Sequence, residues 1–134
     1  MTAPPYLSNG DKVAIISTAK RTEPQEVNEA LDVLQSWGLE PVTGQNAFAS
    51  NGFLAGTDAQ RLADLQQALD DPDTKGIFFT KGGYGTLRIV DGINWTAFKQ
   101  NPKWLVGYSD ITLLHAHVHN FGIQTLHAVM LQGY

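Results

Sequence analysis

The feature that most constrains this chain is an alternation. Short, apolar runs are each followed by a stretch whose apolar residues recur at helical spacing. Lys12 to Ser17 (KVAIIS), Leu39 to Thr43, Gly76 to Thr80 (GIFFT), Trp104 to Tyr108 (WLVGY) and Ile123 to Leu126 read as strands. Between them, Val27, Ala30, Leu31, Leu34 and Trp37 share one helical face, as do Leu62, Leu65 and Leu69. Strands that are apolar on both sides and separated by helices call for a parallel sheet covered on both faces.

The punctuation between these elements agrees. Asn9-Gly10-Asp11 is a turn, and Thr22 with Gln25 fits a capping box with Pro24 in the first turn. Gly38 stops the first helix, and Gln45 to Gly56 is a loop. Thr57 and Gln60 form a second capping box, and Asp71-Pro72 ends that helix because proline disfavours helical geometry in the residue before it. A short helix is predicted over Thr86 to Val90, and a longer one from Ser109 or Asp110 to Phe121, capped by Gly122. The predicted fold class is α/β: a three-layer α/β/α domain with a mostly parallel sheet of about five strands, flavodoxin-like or class I amidotransferase-like. With no repeat, low-complexity tract or linker, residues 1–134 read as one domain. After Leu126 the chain runs on as His127-Ala128-Val129-Met130-Leu131 and stops at Tyr134 without a covering helix. That reads as a domain cut from a longer protein.

Composition removes several function classes. A net charge of -4 offers no basic stripe for nucleic acid and no polybasic patch for an anionic membrane. No run reaches the roughly 18 apolar residues of a membrane span, and Met1-Thr2-Ala3-Pro4-Pro5 lacks the regions of a secretory signal. The absence of cysteine excludes a thiolate nucleophile, a disulfide scaffold and any cysteine zinc site. The expectation is a cytoplasmic protein without a cofactor.

In open α/β sheets ligands bind beyond the carboxyl ends of the strands, and two such ends carry suggestive residues. Lys81-Gly82-Gly83-Tyr84-Gly85 follows the third strand, where glycines let amide N–H groups approach an anion or oxyanion. It matches neither a dinucleotide fingerprint nor a P-loop, and a purely geometric turn is the other reading. Gly107-Tyr108-Ser109-Asp110 joins the fourth strand to a helix, a place where a serine hydroxyl can stand above the sheet with the next amide at a helix N-terminus. Ile111 departs from the G-x-S-x-G pattern, and the other reading is that Ser109 or Asp110 caps the helix. His115 and His119 share a helical face while His117 points away, a weak basis for a zinc site that needs three protein ligands, so no metal is expected. A phosphoacceptor receiver is set aside because Ile16-Ser17-Thr18 and Phe79-Thr80-Lys81 stand where acidic residues belong.

Three blocks resemble the LD-carboxypeptidase family of serine peptidases. They are Phe53-Leu54-Ala55-Gly56-Thr57-Asp58 with Gln60-Arg61-Leu62-Ala63-Asp64-Leu65, then Lys81 to Arg88 (KGGYGTLR), then Trp104 to Thr112 (WLVGYSDIT). Pro4-Pro5-Tyr6-Leu7 and Gly10 to Ile15 also fit the family's opening. The resemblance implies cytoplasmic enzymes that cut the bond between an L- and a D-amino acid in murein tetrapeptides during cell-wall recycling. It also implies a related branch that cleaves peptide-nucleotide antibiotic conjugates and gives self-immunity. It implies a Ser-His-Glu triad without a cofactor, with Ser109 as nucleophile and the backbone amides of Asp110 and Gly83 as oxyanion donors. Gly82 and Tyr84 then become candidates for the substrate cleft.

The family's triad Glu and His lie in a C-terminal domain, and no position of this chain matches either. The isolated chain is therefore expected to fold without turning over substrate, since a serine lacking a base within hydrogen-bond reach is a weak nucleophile. The expected partners are a murein or related peptide and the chain's own C-terminal domain, with a homodimer open to it and no nucleic acid or membrane. A non-catalytic, small-ligand-binding α/β domain is the competing reading.

Overall fold

A computed structural model describes residues 1–134. Five strands, β1 (Lys12–Ile16), β2 (Glu40–Thr43), β3 (Thr74–Phe79), β4 (Trp104–Gly107) and β5 (Leu126–His127), form one sheet in the order β2-β1-β3-β4-β5. Every neighbouring pair is parallel. Helices α1 (Asn28–Ser36), α2 (Asp58–Asp70), α3 (Thr96–Gln100) and α4 (Thr112–Asn120) make the connections.

Two cores explain why the central strands β1, β3 and β4 carry apolar residues at successive positions. Ala14, Ile16, Ile77 and Phe79 point to the face covered by α2, α3 and α4, where they meet Leu65, Leu69, Phe98, Leu114 and Val118. Their neighbours Val13, Ile15 and Phe78 point the other way, against Ala30 and Leu34 of α1 and Leu131 near the C-terminus. The period of two in a strand thus divides one apolar run between two layers. Toward β4 and β5 this second face opens into an apolar groove lined by Tyr6, Trp37, Phe78, Trp104, Leu126 and Tyr134.

Local sequence fixes the element ends. The Thr57 hydroxyl accepts from the Gln60 amide at 3.1 Å and the Gln60 side chain accepts from the Thr57 amide at 2.9 Å, so this capping box forms as expected. The expected Thr22–Gln25 box does not form. Thr22 is buried and its hydroxyl donates to Thr80 at 3.1 Å, while the cap lies one residue on, where the Glu23 amide donates to Glu26 at 2.7 Å. Pro24 to Glu26 is a 3-10 turn rather than the start of α1. The fifth strand also shifts from 123–126 to Leu126–His127, because Thr2 takes up the pairing with Ile123. The Gly122 carbonyl accepts from the Thr2 amide at 2.6 Å, and the Gln124 amide donates back to Thr2 at 2.8 Å.

Two buried charges hold helix ends. Lys103, 2% exposed, donates to the Ala68 and Asp71 carbonyls at 2.8 and 2.6 Å and so satisfies the C-terminal end of α2. Burial pushes its ammonium down to about 8. Arg61, on α2, is 1% exposed and is anchored in the site region described next.

Candidate active site

Strand order reverses at β1, and the loops leaving the carboxyl ends of β1, β3 and β4 meet above the sheet there. Their floor is a set of buried hydroxyls. Ser17 and Thr80 share a hydrogen bond of 2.7 Å, Ser17 donates to the Ala47 carbonyl at 2.8 Å, and Thr18 and Thr86 share one of 2.8 Å. Arg61 spans the same loops, donating to Thr18 O at 3.2 Å, Gly56 O at 2.8 Å and Asp58 Oδ1 at 2.6 Å. Asp58 also receives Arg88 at 2.8 Å, and the two guanidiniums, Arg88 first, hold its carboxyl down to about 2.

On this floor the glycine turn and the serine turn face each other. Gly82 lies so close that a Cβ there would sit 3.2 Å from both Cβ and Oγ of Ser109 and 3.8 Å from the Asp110 nitrogen. Gly83 has φ 109°, a conformation open to glycine that aims its backbone away from a strand course. Gly85 is required by space, since a Cβ would meet Thr18 O at 2.6 Å and Ala19 Cα at 2.8 Å. The Thr86 amide donates to the Asp110 carboxylate at 3.0 Å and the Lys20 amide to Gly82 O at 3.3 Å, so both neighbours pin the turn. The Gly83 amide donates to no acceptor in the chain, and the Asp110 amide, second in the 3-10 turn Ser109–Ile111, has no acceptor within that turn. Both are donors open to a ligand.

Ser109 is the one residue other than glycine with positive φ, at 60°. That left-handed geometry costs an L-residue roughly 1–2 kcal/mol, and strain of this kind concentrates at functional sites. Its side chain does not cap the helix: the cap position is Tyr108, and no side-chain cap bond forms. Asp110 is engaged with Thr86 instead. The capping alternative therefore has no hydrogen bond behind it, and the Ser109 hydroxyl is exposed at the head of α4.

A cavity of about 460 Å3 opens over these groups, lined by Lys20, Lys81, Gly82, Gly83, Tyr108 and Ser109 together with Val129, Met130, Gln132 and Gly133. Gly82, Gly83 and Ser109 thus line one cavity. Asp110 adjoins them, whereas Tyr84 is 42% exposed and does not line this cavity; Tyr108 does. Val129, Met130, Gln132 and Gly133 form the remaining wall. The Gln132 amide bonds Thr80 O at 3.0 Å, a long-range contact with no local sequence signature.

The histidines are otherwise employed. His115 Nε2 donates to Gly107 O at 2.8 Å, which leaves Nδ1 to accept from the Thr125 hydroxyl at 2.6 Å. Burial holds this imidazole below its usual range, against the Gly107 carbonyl and with a smaller push from His127. His117 bonds Leu113 O at 3.1 Å and stacks near Trp95. His127 pairs in register with Gly107, and its ring lies 6.1 Å from that of Tyr108, but it does not line the cavity. No three metal-ligating side chains gather anywhere in the chain, and no helix is long and apolar enough to cross a membrane.

Comparison with known proteins gives the same site a context. Residues 13–128 match the family described as LD-carboxypeptidase N-terminal domain. The chain is 40% identical over 129 residues to a probable murein peptide carboxypeptidase of Bacillus subtilis, covering 96% of this chain and 40% of that protein. It is 32% identical to the murein tetrapeptide carboxypeptidase of Pseudomonas aeruginosa, covering 91% and 40%. Among solved structures it is similar to an MccF-like protein from Bacillus anthracis (TM-score 0.91, 26% identity, 99% of this chain and 42% of that one). It is also similar to the microcin C7 self immunity protein MccF in complex with aspartyl sulfamoyl adenosine (TM-score 0.84, 26% identity, 93% and 38%). The chain spans about two fifths of the length of these relatives.

Proposed function

The chain belongs to the LD-carboxypeptidase family, and from that premise we propose that it is the nucleophile-bearing N-terminal domain of a serine carboxypeptidase. Its substrate is the L,D peptide bond of murein tetrapeptides, cut in the cytoplasm during cell-wall recycling. The observation that carries this reading is Ser109: strained at φ 60°, exposed, bonded to no cap and set against the glycine turn.

In this reading Ser109 Oγ attacks the carbonyl carbon of the L-residue while a base takes its proton. The tetrahedral oxyanion forms between the open amides of Gly83 and Asp110, the latter at the positive end of a helix. Collapse breaks the C–N bond, the proton passes to the departing amine of the D-residue, and an ester remains on Ser109. Water then cleaves that ester. The base comes from outside these 134 residues. His115 has both ring nitrogens engaged, and moving it to Ser109 would cost the Gly107 and Thr125 bonds. The glutamate and histidine of the triad are assigned to the C-terminal half of the full-length enzyme, so the isolated chain binds but does not turn over. The chemistry asks for no cofactor.

The similarity to the microcin self immunity protein favours a second reading, in which the same Ser109 chemistry hydrolyses a peptide-nucleotide antibiotic conjugate. Both readings share a test. A fluorophosphonate probe applied to the full-length protein labels Ser109, located by peptide mapping. Absence of label at Ser109 in a protein that still releases product removes the nucleophile assignment. Absence of both label and product supports a non-catalytic binding domain.

A further inference from the structure

We propose that Lys20 is the carboxylate receptor of this site, its ammonium taking the free C-terminal carboxylate of the substrate's D-residue. The inference deepens the reading of Ser109 given above and rests on it. A carboxypeptidase has one chemical demand that an internal peptidase lacks. The leaving residue bears an ionised carboxylate one residue beyond the scissile carbonyl, so a cation must stand close to the nucleophile.

Two lysines, Lys20 and Lys81, line the cavity that holds Ser109. Lys81 is already committed. Its Nζ lies 2.8 Å from Glu26 Oε1, and the Gln132 side chain donates to the same oxygen at 3.4 Å. The Lys20 side chain has neither hydrogen bond nor ion pair; it also borders the neighbouring depression, where its charge helps to lower the Glu26 carboxyl without touching it. Arg21 lines the neighbouring depression rather than this cavity. In a chain of net charge -4, Lys20 is thus the unpaired cation at the serine.

Its placement is built. The Lys20 amide bonds Gly82 O at 3.3 Å, and its aliphatic stem lies over Gly83, where a Cβ would sit 3.0 Å from both Cγ and Cδ. The same turn that offers its Gly83 amide to an oxyanion therefore carries the stem of the cation. This gives the absence of a side chain at Gly83 a second purpose: it leaves room for the lysine to lie across the turn. A long stem ending in a compact, freely rotating charge suits a carboxylate that arrives and leaves with each turnover.

The test uses the 134-residue chain and two probes, N-acetyl-L-lysyl-D-alanine and its C-terminal amide, followed by amide shifts in 15N NMR. The free acid is expected to shift Gly82, Gly83 and Ser109 and to bind at least about tenfold more tightly than the amide, the worth of a charge-assisted hydrogen bond. Lys20→Met removes that preference and Lys20→Arg keeps it; Lys20 is exposed, so neither disturbs the core. An unchanged preference in Lys20→Met overturns the proposal, as does a wild-type chain that does not bind the acid. Failure of the two readings is separable. Ser109 labelling with a Lys20-independent preference removes only the carboxylate receptor. A Lys20-dependent preference without Ser109 labelling keeps the receptor and removes the nucleophile.

Discussion

Replacing Ser109 by glycine should stabilise the domain while removing the group proposed to do its chemistry. Ser109 sits at φ 60°, where a Cβ costs roughly 1–2 kcal/mol. Glycine relieves that strain and adds back about 0.5–1 kcal/mol of unfolded-chain entropy. The Ser109 hydroxyl makes no helix-cap bond, so little else is lost. Alanine retains the Cβ and the strain and should match the wild type within about 0.5 kcal/mol. Ser109→Gly should then exceed Ser109→Ala by about 0.5–1 kcal/mol, or about 2–4 °C in melting temperature for a domain of this size. Urea and thermal unfolding followed by circular dichroism, with both variants side by side, read the difference. A glycine variant at or below the alanine variant would refute the argument that this turn stores strain.

Three further outcomes follow from the same geometry. Gly85→Ala pushes a Cβ to 2.6 Å from Thr18 O, with no flexible side chain to yield, and should lose about 2–3 kcal/mol in urea unfolding; a change within about 0.5 kcal/mol contradicts the contact. Arg61→Met orphans the Thr18 and Gly56 carbonyls around a fully buried position and should cost about 3 kcal/mol or more, so a midpoint close to wild type would show that the loops do not depend on it. His115 is held below its unfolded value near 6.5, so the unfolded chain takes up a proton first as pH falls. Stability should be full above about 6.5 and decline from there toward the folded value. Unfolding midpoints measured across that window should lose this slope in His115→Gln, and an unchanged slope places its origin elsewhere.

Much of the scaffold is legible in the sequence because local rules decide it. The Thr57–Gln60 box, the stop at Asp71-Pro72 and the run Trp104 to Gly107 follow from hydrogen-bonding and steric preferences within a few residues. The Ser109 turn is legible as a place, since a strand meets a helix there, but its strain and its missing cap bond are not. Thr22 has every local feature of a cap and is drawn instead to Thr80, 58 residues away. The five-residue α3 has no side-chain cap to announce it. Arg61 and Lys103 would be assigned to solvent by charge alone, and are buried because each serves carbonyls that only the folded loops present. Lys20 and the wall of Val129, Met130, Gln132 and Gly133 join the site through contacts with the segment after β3, distant in sequence and beyond any local pattern.

The most direct test of the central claim is release of D-alanine from a murein tetrapeptide. It should be measured on this chain alone, on a longer protein that joins it to the proposed C-terminal domain, and on the Ser109→Ala variant of that longer protein. The account predicts release by the longer protein only, abolished by Ser109→Ala. Release that survives Ser109→Ala, or release by the 134-residue chain on its own, would contradict it.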